Sequence, residues 1–220
     1  RPDYSIGGVV HTQDRTATFL ISTGLKLCGG FEGNEDPASY DLNDRDFVAN
    51  NTVLSGDLAQ NDPPDLPAVL SYYGQAVSPA SVAYDTNGNG VIDDADLRNT
   101  DNSMHVVTIG STASGAILDG FEIVAGRIDG SSNSYGAGVQ VNAASSTLRN
   151  CTLAGNMGTN GAGLSVSGGS LVAEQCTFDR NRATSNGGGV RLWVGQYAMT
   201  GCRFLGNVAC DHGGGLYSSG

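Results

Sequence analysis

The sequence has no run of about 18 apolar residues, so no segment of it reads as a membrane-crossing helix. It opens at Arg1 without a basic-then-apolar leader and stops at Gly220 inside a repeat, so both ends read as truncations of a longer protein. Basic residues are scarce: Lys and Arg number 11 against 22 Asp and Glu, a formal net charge of −11. Such a surface repels nucleic acid and anionic lipid, and favours a cation as partner. Proline is rare, with 6 residues, and no stretch carries helical spacing long enough to cross back over a sheet. Disorder of the low-complexity kind and alternating βαβ units are thereby not expected.

Glycine is what the chain has in excess, 33 residues or about twice ordinary usage, with no collagen triplet. That amount implies many tight backbone corners. Charge divides the chain: residues 1–110 carry 16 acidic and 5 basic side chains, while residues 111–220 carry 6 of each. The net charge therefore lies wholly in the first half.

The second half repeats with a period of 25 to 26 residues. Segments starting at Gly136, Gly161, Gly187 and Gly213 read GAGVQV, GAGLSV, GGGVRL and GGGLYS. Each full copy continues with NCTLAGN, QCTFDRN or GCRFLGN, which places Cys151, Cys176 and Cys202 one period apart, each followed by Asn156, Asn181 or Asn207. A weaker copy runs upstream from Leu118 to Ile123, with Phe121 in place of the cysteine. Apolar residues alternate within each copy, as in Val139/Val141, Leu164/Val166 and Val190/Leu192, the period of a strand with one buried face. Short strands joined by glycine and asparagine corners close as coils of a parallel β-solenoid, with like residues in ladders along the axis. The cysteines then read as small inward-facing hydrophobes. A leucine-rich repeat shares the period but needs leucines where this chain has Ser, Gly and Thr.

The fold expected is therefore all-β, a right-handed single-stranded parallel β-helix. The paired GGGV/GGGL and CTFDRN/CRFLGN signatures resemble the GGA(I/L/V) and FxxN repeats of the chlamydial polymorphic outer membrane proteins over roughly residues 118–220. Leu153 replaces the aromatic in one FxxN, and GAG replaces GGA in two copies. The resemblance implies a surface-displayed β-helix serving adhesion, with motif residues acting as corners.

In the first half, Val9 to Thr18 followed by Phe19 to Ile21, Leu25 to Gly33, Thr52 to Leu58 and His105 to Ile109 suggest further strands. Residues 1–59 read as a cap and first coils, 60–104 as a long acidic excursion, and 105–220 as regular coils.

The excursion holds a twelve-residue motif running from Asp85 to Asp96. Oxygen side chains fall at positions 1, 3, 5, 9 and 12 as Asp85, Asn87, Asn89, Asp93 and Asp96. Gly90 stands at the sharp turn, Val91 offers a backbone carbonyl, and Ile92 is the apolar anchor. That pattern suits Ca²⁺, a hard cation taking six or seven oxygens. It resembles an EF-hand loop in which Asp96 replaces the bidentate Glu, as in dockerins and other extracellular calcium loops. Dockerins carry two such loops, and this chain has one. An Asp/Asn/Gly turn that binds nothing is the bland alternative.

For chemistry on a sugar, carboxylates should line the outer face of adjacent coils. The outward ladders expected from the alternation are Gln140, Ser165, Arg191 and Tyr217, with Asn142, Ser167 and Trp193 beside them, and Thr152, Thr177 and Arg203 on another strand. None contains an acid pair. Asp179, Arg180 and Arg182 are the best acid–base candidates, and a surface ion pair of Asp179 with Arg182 is their plain reading. His11, His105 and His212 lack ligand spacing. Arg191, Trp193 and Tyr217 form the one recognition patch, suited to stacking on sugar rings. Trp193 covered by a loop or by neighbouring chains is the competing reading.

Five cysteines is an odd number, and ladder cysteines one coil apart seldom meet disulfide geometry. Cys202 and Cys210 are the single pair worth considering. The function expected is a secreted, extracellular or bacterial cell-surface scaffold that binds Ca²⁺ and contacts a polysaccharide or cell-surface glycan. The rival is a β-helix polysaccharide lyase or glycoside hydrolase with its active site elsewhere, and a plain spacer module is a third possibility.

Overall fold

The computed structural model describes residues 14–58, 60, 62, 74–76, 78, 88–93, 101–129, 135–142 and 144–220, and the backbone of Tyr4–Ile6 and Val9–His11, which pair as an antiparallel hairpin. Everything else that forms strands belongs to a parallel β-solenoid. Its largest sheet stacks Phe19–Ile21, Val107–Ile109, Val139–Asn142, Leu164–Ser167, Val190–Trp193 and Leu216–Ser219 in that order. A second sheet stacks Lys26–Cys28, Ala116–Asp119, Ser145–Arg149, Ser170–Glu174 and Gln196–Thr200. The third stacks Thr52–Ser55, Phe121–Val124, Thr152–Ala154, Thr177–Asp179 and Arg203–Leu205. A short fourth ladder joins Met157–Gly158, Arg182–Ala183 and Val208–Ala209. The one helical turn among the described residues is Leu42–Asp44.

The registers are those of the sequence repeat. Val139, Leu164, Val190 and Leu216 are consecutive partners, as are Leu153, Phe178 and Phe204, and Leu118 pairs with Leu148. Buried columns of Val, Ile and Leu fill the interior, and Cys151 and Cys176 are enclosed among them. Each such side chain contributes roughly 1.5–3 kcal/mol through burial. The neighbours are what bury it: Phe178 is 0% exposed, whereas Phe204, stacked on it at 5.1 Å in the last coil, is 36% exposed.

The two repeated motifs meet inside the coil. Asn181 donates from Nδ2 to the Leu153 carbonyl at 2.8 Å and to Asn207 Oδ1 at 3.0 Å. Its own Oδ1 accepts from the backbone N of Asn156 at 3.1 Å and from Asn156 Nδ2 at 3.0 Å. Asn156 repeats the pattern, with Nδ2 to the Ile123 carbonyl and Oδ1 accepting from the Gly126 amide. A buried amide normally carries a heavy desolvation penalty, and here every hydrogen-bonding site is used. The glycine at the third position of the runs starting at Gly136, Gly161 and Gly187 makes room for this ladder. A Cβ on Gly163 would lie 2.5 Å from the Gly189 carbonyl and 3.0 Å from Asn181 Nδ2, and Gly138 faces Asn156 in the same way.

Corners turn through left-handed residues. Gly120, Asn150, Gln175 and Gly201 occupy the same corner in successive coils, all with positive φ. Val194 has φ +43, where its register partner in the coil before is Gly168. A β-branched residue in that region is strained.

Three long segments connect the described strands, residues 29–51, 56–106 and 125–138, each an excursion in sequence between one strand and the next. The first is fastened to the second sheet by Arg45, whose guanidinium pairs with Asp119 Oδ2 at 2.8 Å and also reaches the Gly29 and Leu42 carbonyls. Both side chains are nearly sealed from solvent, Asn150 Nδ2 satisfies Asp119 Oδ1 at 2.8 Å, and Phe47 lies under the guanidinium. A buried pair holds only when the remaining polar atoms are satisfied in this way.

Candidate functional site

In the solenoid the outward ladder expected from the sequence is in place: Gln140, Ser165, Arg191 and Tyr217 are consecutive partners, and so are Asn142, Ser167 and Trp193. Two of its members differ from the expectation of a solvated face. Ser165 is 0% exposed and Arg191 only 7%. The Arg191 guanidinium lies 4.5 Å from the Tyr135 ring centroid and 4.7 Å from that of Trp193, so two aromatic faces cover it. Burial holds its pKa below the usual arginine value, opposed by Tyr135, Tyr217 and Tyr197. Trp193 itself stays 47% exposed. Tyr197 donates its hydroxyl to the Trp193 carbonyl at 2.8 Å, which fixes the corner beside the indole. Tyr217 packs against His212 at 6.0 Å between ring centroids.

The three predicted residues thus share one surface, and Tyr135 and Tyr197 join them. Tyr135 carries a signal that sequence reading passed over. It stands directly before a GAG run, at the repeat position held elsewhere by Asn160, Asn186 and His212, and it bridges Asn160 in the structure. Its ring is the odd one in a polar column.

Of the predicted calcium ligands, Asp85, Asn87 and Asp96 lie outside the described residues. Asn89, Val91 and Asp93 lie within them. Asn89 Oδ1 accepts from the Val91 amide at 2.9 Å, and Asn89 Nδ2 donates to Asp93 Oδ2 at 2.9 Å. Gly88 and Gly90 have φ near +73 and +84, and Ile92 is fully buried. The segment is tied down by the Ala76–Val91 bridge and by the Gly74 amide on the Ile92 carbonyl at 2.7 Å. Among the described residues no three His, Cys, Asp or Glu side chains converge as a metal cluster.

Where the same excursion leaves and rejoins the coils, polar groups are buried. Asn102 is 0% exposed and donates from Nδ2 to Asp62 Oδ2 at 2.6 Å. Burial pushes the Asp62 carboxyl up to about 7, reinforced by Asp57 and Asp101 and opposed by the Asn102 hydrogen bond and Arg127. Arg15 and Arg127 converge instead on Asp129, and burial alone would raise that carboxyl, but their hydrogen bonds hold it below its ordinary value.

The acid–base candidates are arranged differently from the expected pairing: Asp179 sits 3.5 Å from Arg180, at the surface. His105 is largely buried, with Nδ1 3.0 Å from the Gly136 carbonyl, and His212 Nδ1 is 3.0 Å from Asn186 Oδ1. The His11 side chain lies outside the described residues. All five cysteines are free thiols, Cys202 and Cys210 included. Contact with Cys151 and burial push the Cys176 thiol far up.

Among the described residues no helix is long and apolar enough to cross a membrane. Comparison of the chain with known protein families, with characterised proteins and with solved structures found no match in any of the three.

Proposed function

We propose that this β-solenoid is an extracellular, cell-surface scaffold that binds a polysaccharide or cell-surface glycan through the Trp193 face, with Ca²⁺ ordering the acidic excursion through the 85–96 loop. The observation that carries the reading is the stack of Tyr135, Arg191 and Trp193. It immobilises an indole that remains half exposed on a flat sheet face, the arrangement that stacks on a sugar ring without losing side-chain entropy on binding. Tyr217 extends the same surface by one coil. The resemblance of the GGA(I/L/V) and FxxN repeats to polymorphic outer membrane proteins supports surface display and adhesion.

A glycan array probed with the wild-type chain and with Trp193→Ala tests the reading. Loss of a stacked ring should weaken binding at least about tenfold, which corresponds to about 1.4 kcal/mol. Retention of every wild-type signal by Trp193→Ala, with its β-sheet circular dichroism unchanged, refutes it.

A further inference from the structure

The orphaned oxygens at the neck of the excursion have no role in the glycan face, and they lie outside the 85–96 loop. The neck is held shut by the backbone: Ser103 N donates to the Gly56 carbonyl at 2.8 Å, and Gly56 N to the Val124 carbonyl at 2.9 Å. Within it, Asp62 Oδ1, Asp101 Oδ2 and Asn102 Oδ1 are all sealed from solvent, and none has a hydrogen-bond partner. Asn102 is wholly buried and its amide is pressed against Asp62 by the 2.6 Å hydrogen bond from Nδ2. Asp57 accepts from the Asp62 amide at 3.2 Å and adds a further negative charge nearby.

Buried polar atoms in a folded protein are almost always paired, and an orphan calls for a water, an ion or a strain to explain it. Here the three orphans are all acceptors. Arg15 is directed elsewhere, bonding Asp129 and the Asn102 and Arg127 carbonyls, while Arg127, whose Nε bonds Asp129 Oδ1 at 2.7 Å, is near enough for its charge to act on Asp62. Three buried oxygens without a donor suit a positive charge of small radius.

We propose that Asp62, Asp101 and Asn102 form a second cation site, one that takes a hard divalent ion, Ca²⁺, through two carboxylates and an amide oxygen. Oxygen-only ligation excludes Zn²⁺ as the preferred metal, and water and backbone carbonyls complete the shell as they do in other Ca²⁺ sites. The ion pins the outgoing limb of the excursion, at Asp62, to the returning limb, at Asp101 and Asn102. The inference is independent of glycan binding and of the 85–96 loop.

Calorimetric titration of the intact chain with CaCl₂ alone tests it. Two equivalents are expected for the wild type, one after Asp62→Asn with Asp101→Asn, and one after Asp85→Ala with Asp96→Ala. If the wild type binds a single equivalent, abolition by the neck pair sustains the proposal and refutes the loop, and abolition by the loop pair does the reverse. Unchanged stoichiometry in the neck variant overturns the proposal and assigns the space to water. Asn102→Asp supplies a readout that survives any failure of the double variant to fold: an added carboxylate should tighten the second equivalent about tenfold, and no change in that affinity also overturns the site.

Discussion

Asn181 and Asn102 are the same residue type, equally buried, in two regions that treat it in opposite ways. In the regular coils Asn181 finds all its partners within the repeat, because the coil above and the coil below each present one. At the neck Asn102 keeps an amide oxygen without any partner. In the coils the asparagine ladder is satisfied by its own copies, although the hydroxyls of Ser146, Thr159, Ser165 and Ser219 there have no partner; Asn102 in the insertion has no copy to lean on. The coils should accordingly be stable by themselves, and the excursion should depend on the cation proposed for its neck.

The largest expected effect is in the coils. Phe178→Ala removes a fully buried ring stacked on Phe204 and should cost about 4 kcal/mol, read as a lower denaturant midpoint with or without Ca²⁺. Asn181→Ala strands the Leu153 carbonyl and the donors of Asn156 and should cost about 3 kcal/mol, again independent of Ca²⁺. Calcium dependence in either variant's loss would erase the contrast between the regions. Chelation with EGTA tests the other side: amide exchange should accelerate at the 74–76 and 91–92 backbone pairs and at Ser103, while Leu153, Val166 and Phe178 keep their protection. Smaller is Val194→Gly, which relieves a left-handed valine at a corner where the preceding coil has Gly168, and should stabilise by about 1 kcal/mol.

The smallest effect concerns pH. Burial lowers the pKa of His105, so the unfolded chain takes up its proton more readily than the folded one. Stability is then complete above the ordinary histidine pKa and declines as pH falls toward the depressed folded value. His105→Gln should flatten the slope of melting temperature against pH just below 6.5, and an unaltered slope would show that another group governs it.

The coils were legible because their signal is redundant. A cysteine column, an asparagine column and an alternating apolar pair all report one period, and the structure keeps that register residue for residue. The outward ladder followed from the same alternation, down to Arg191, Trp193 and Tyr217 on one surface. Their burial did not follow, since Arg191 is covered by Tyr135, a residue delivered from the 125–138 excursion, and alternation within a strand carries no information about what a loop lays over it. The Arg45–Asp119 pair was hidden for a similar reason, joining residues 74 positions apart through a loop without any repeat to align. The neck of the 56–106 excursion was not legible because its polar residues share no motif; the backbone bond of Ser103 to Gly56 brings the two limbs together.

The glycine and asparagine that meet inside each regular coil are equally far apart in sequence in all three coils that have both, Gly138 with Asn156, Gly163 with Asn181 and Gly189 with Asn207. This contact works as a ruler: a residue inserted between its two ends would pull the amide out of the seat left by the missing Cβ. The coils that give rise to the long excursions have Thr18 and Asp57, or Val106 and Gly126, at the matching positions, and so are free of it. Segments measured by the ruler can be multiplied as uniform units, while new surface can be grafted only where the measure is missing, which leaves the chain with a standardised stem and a variable crown.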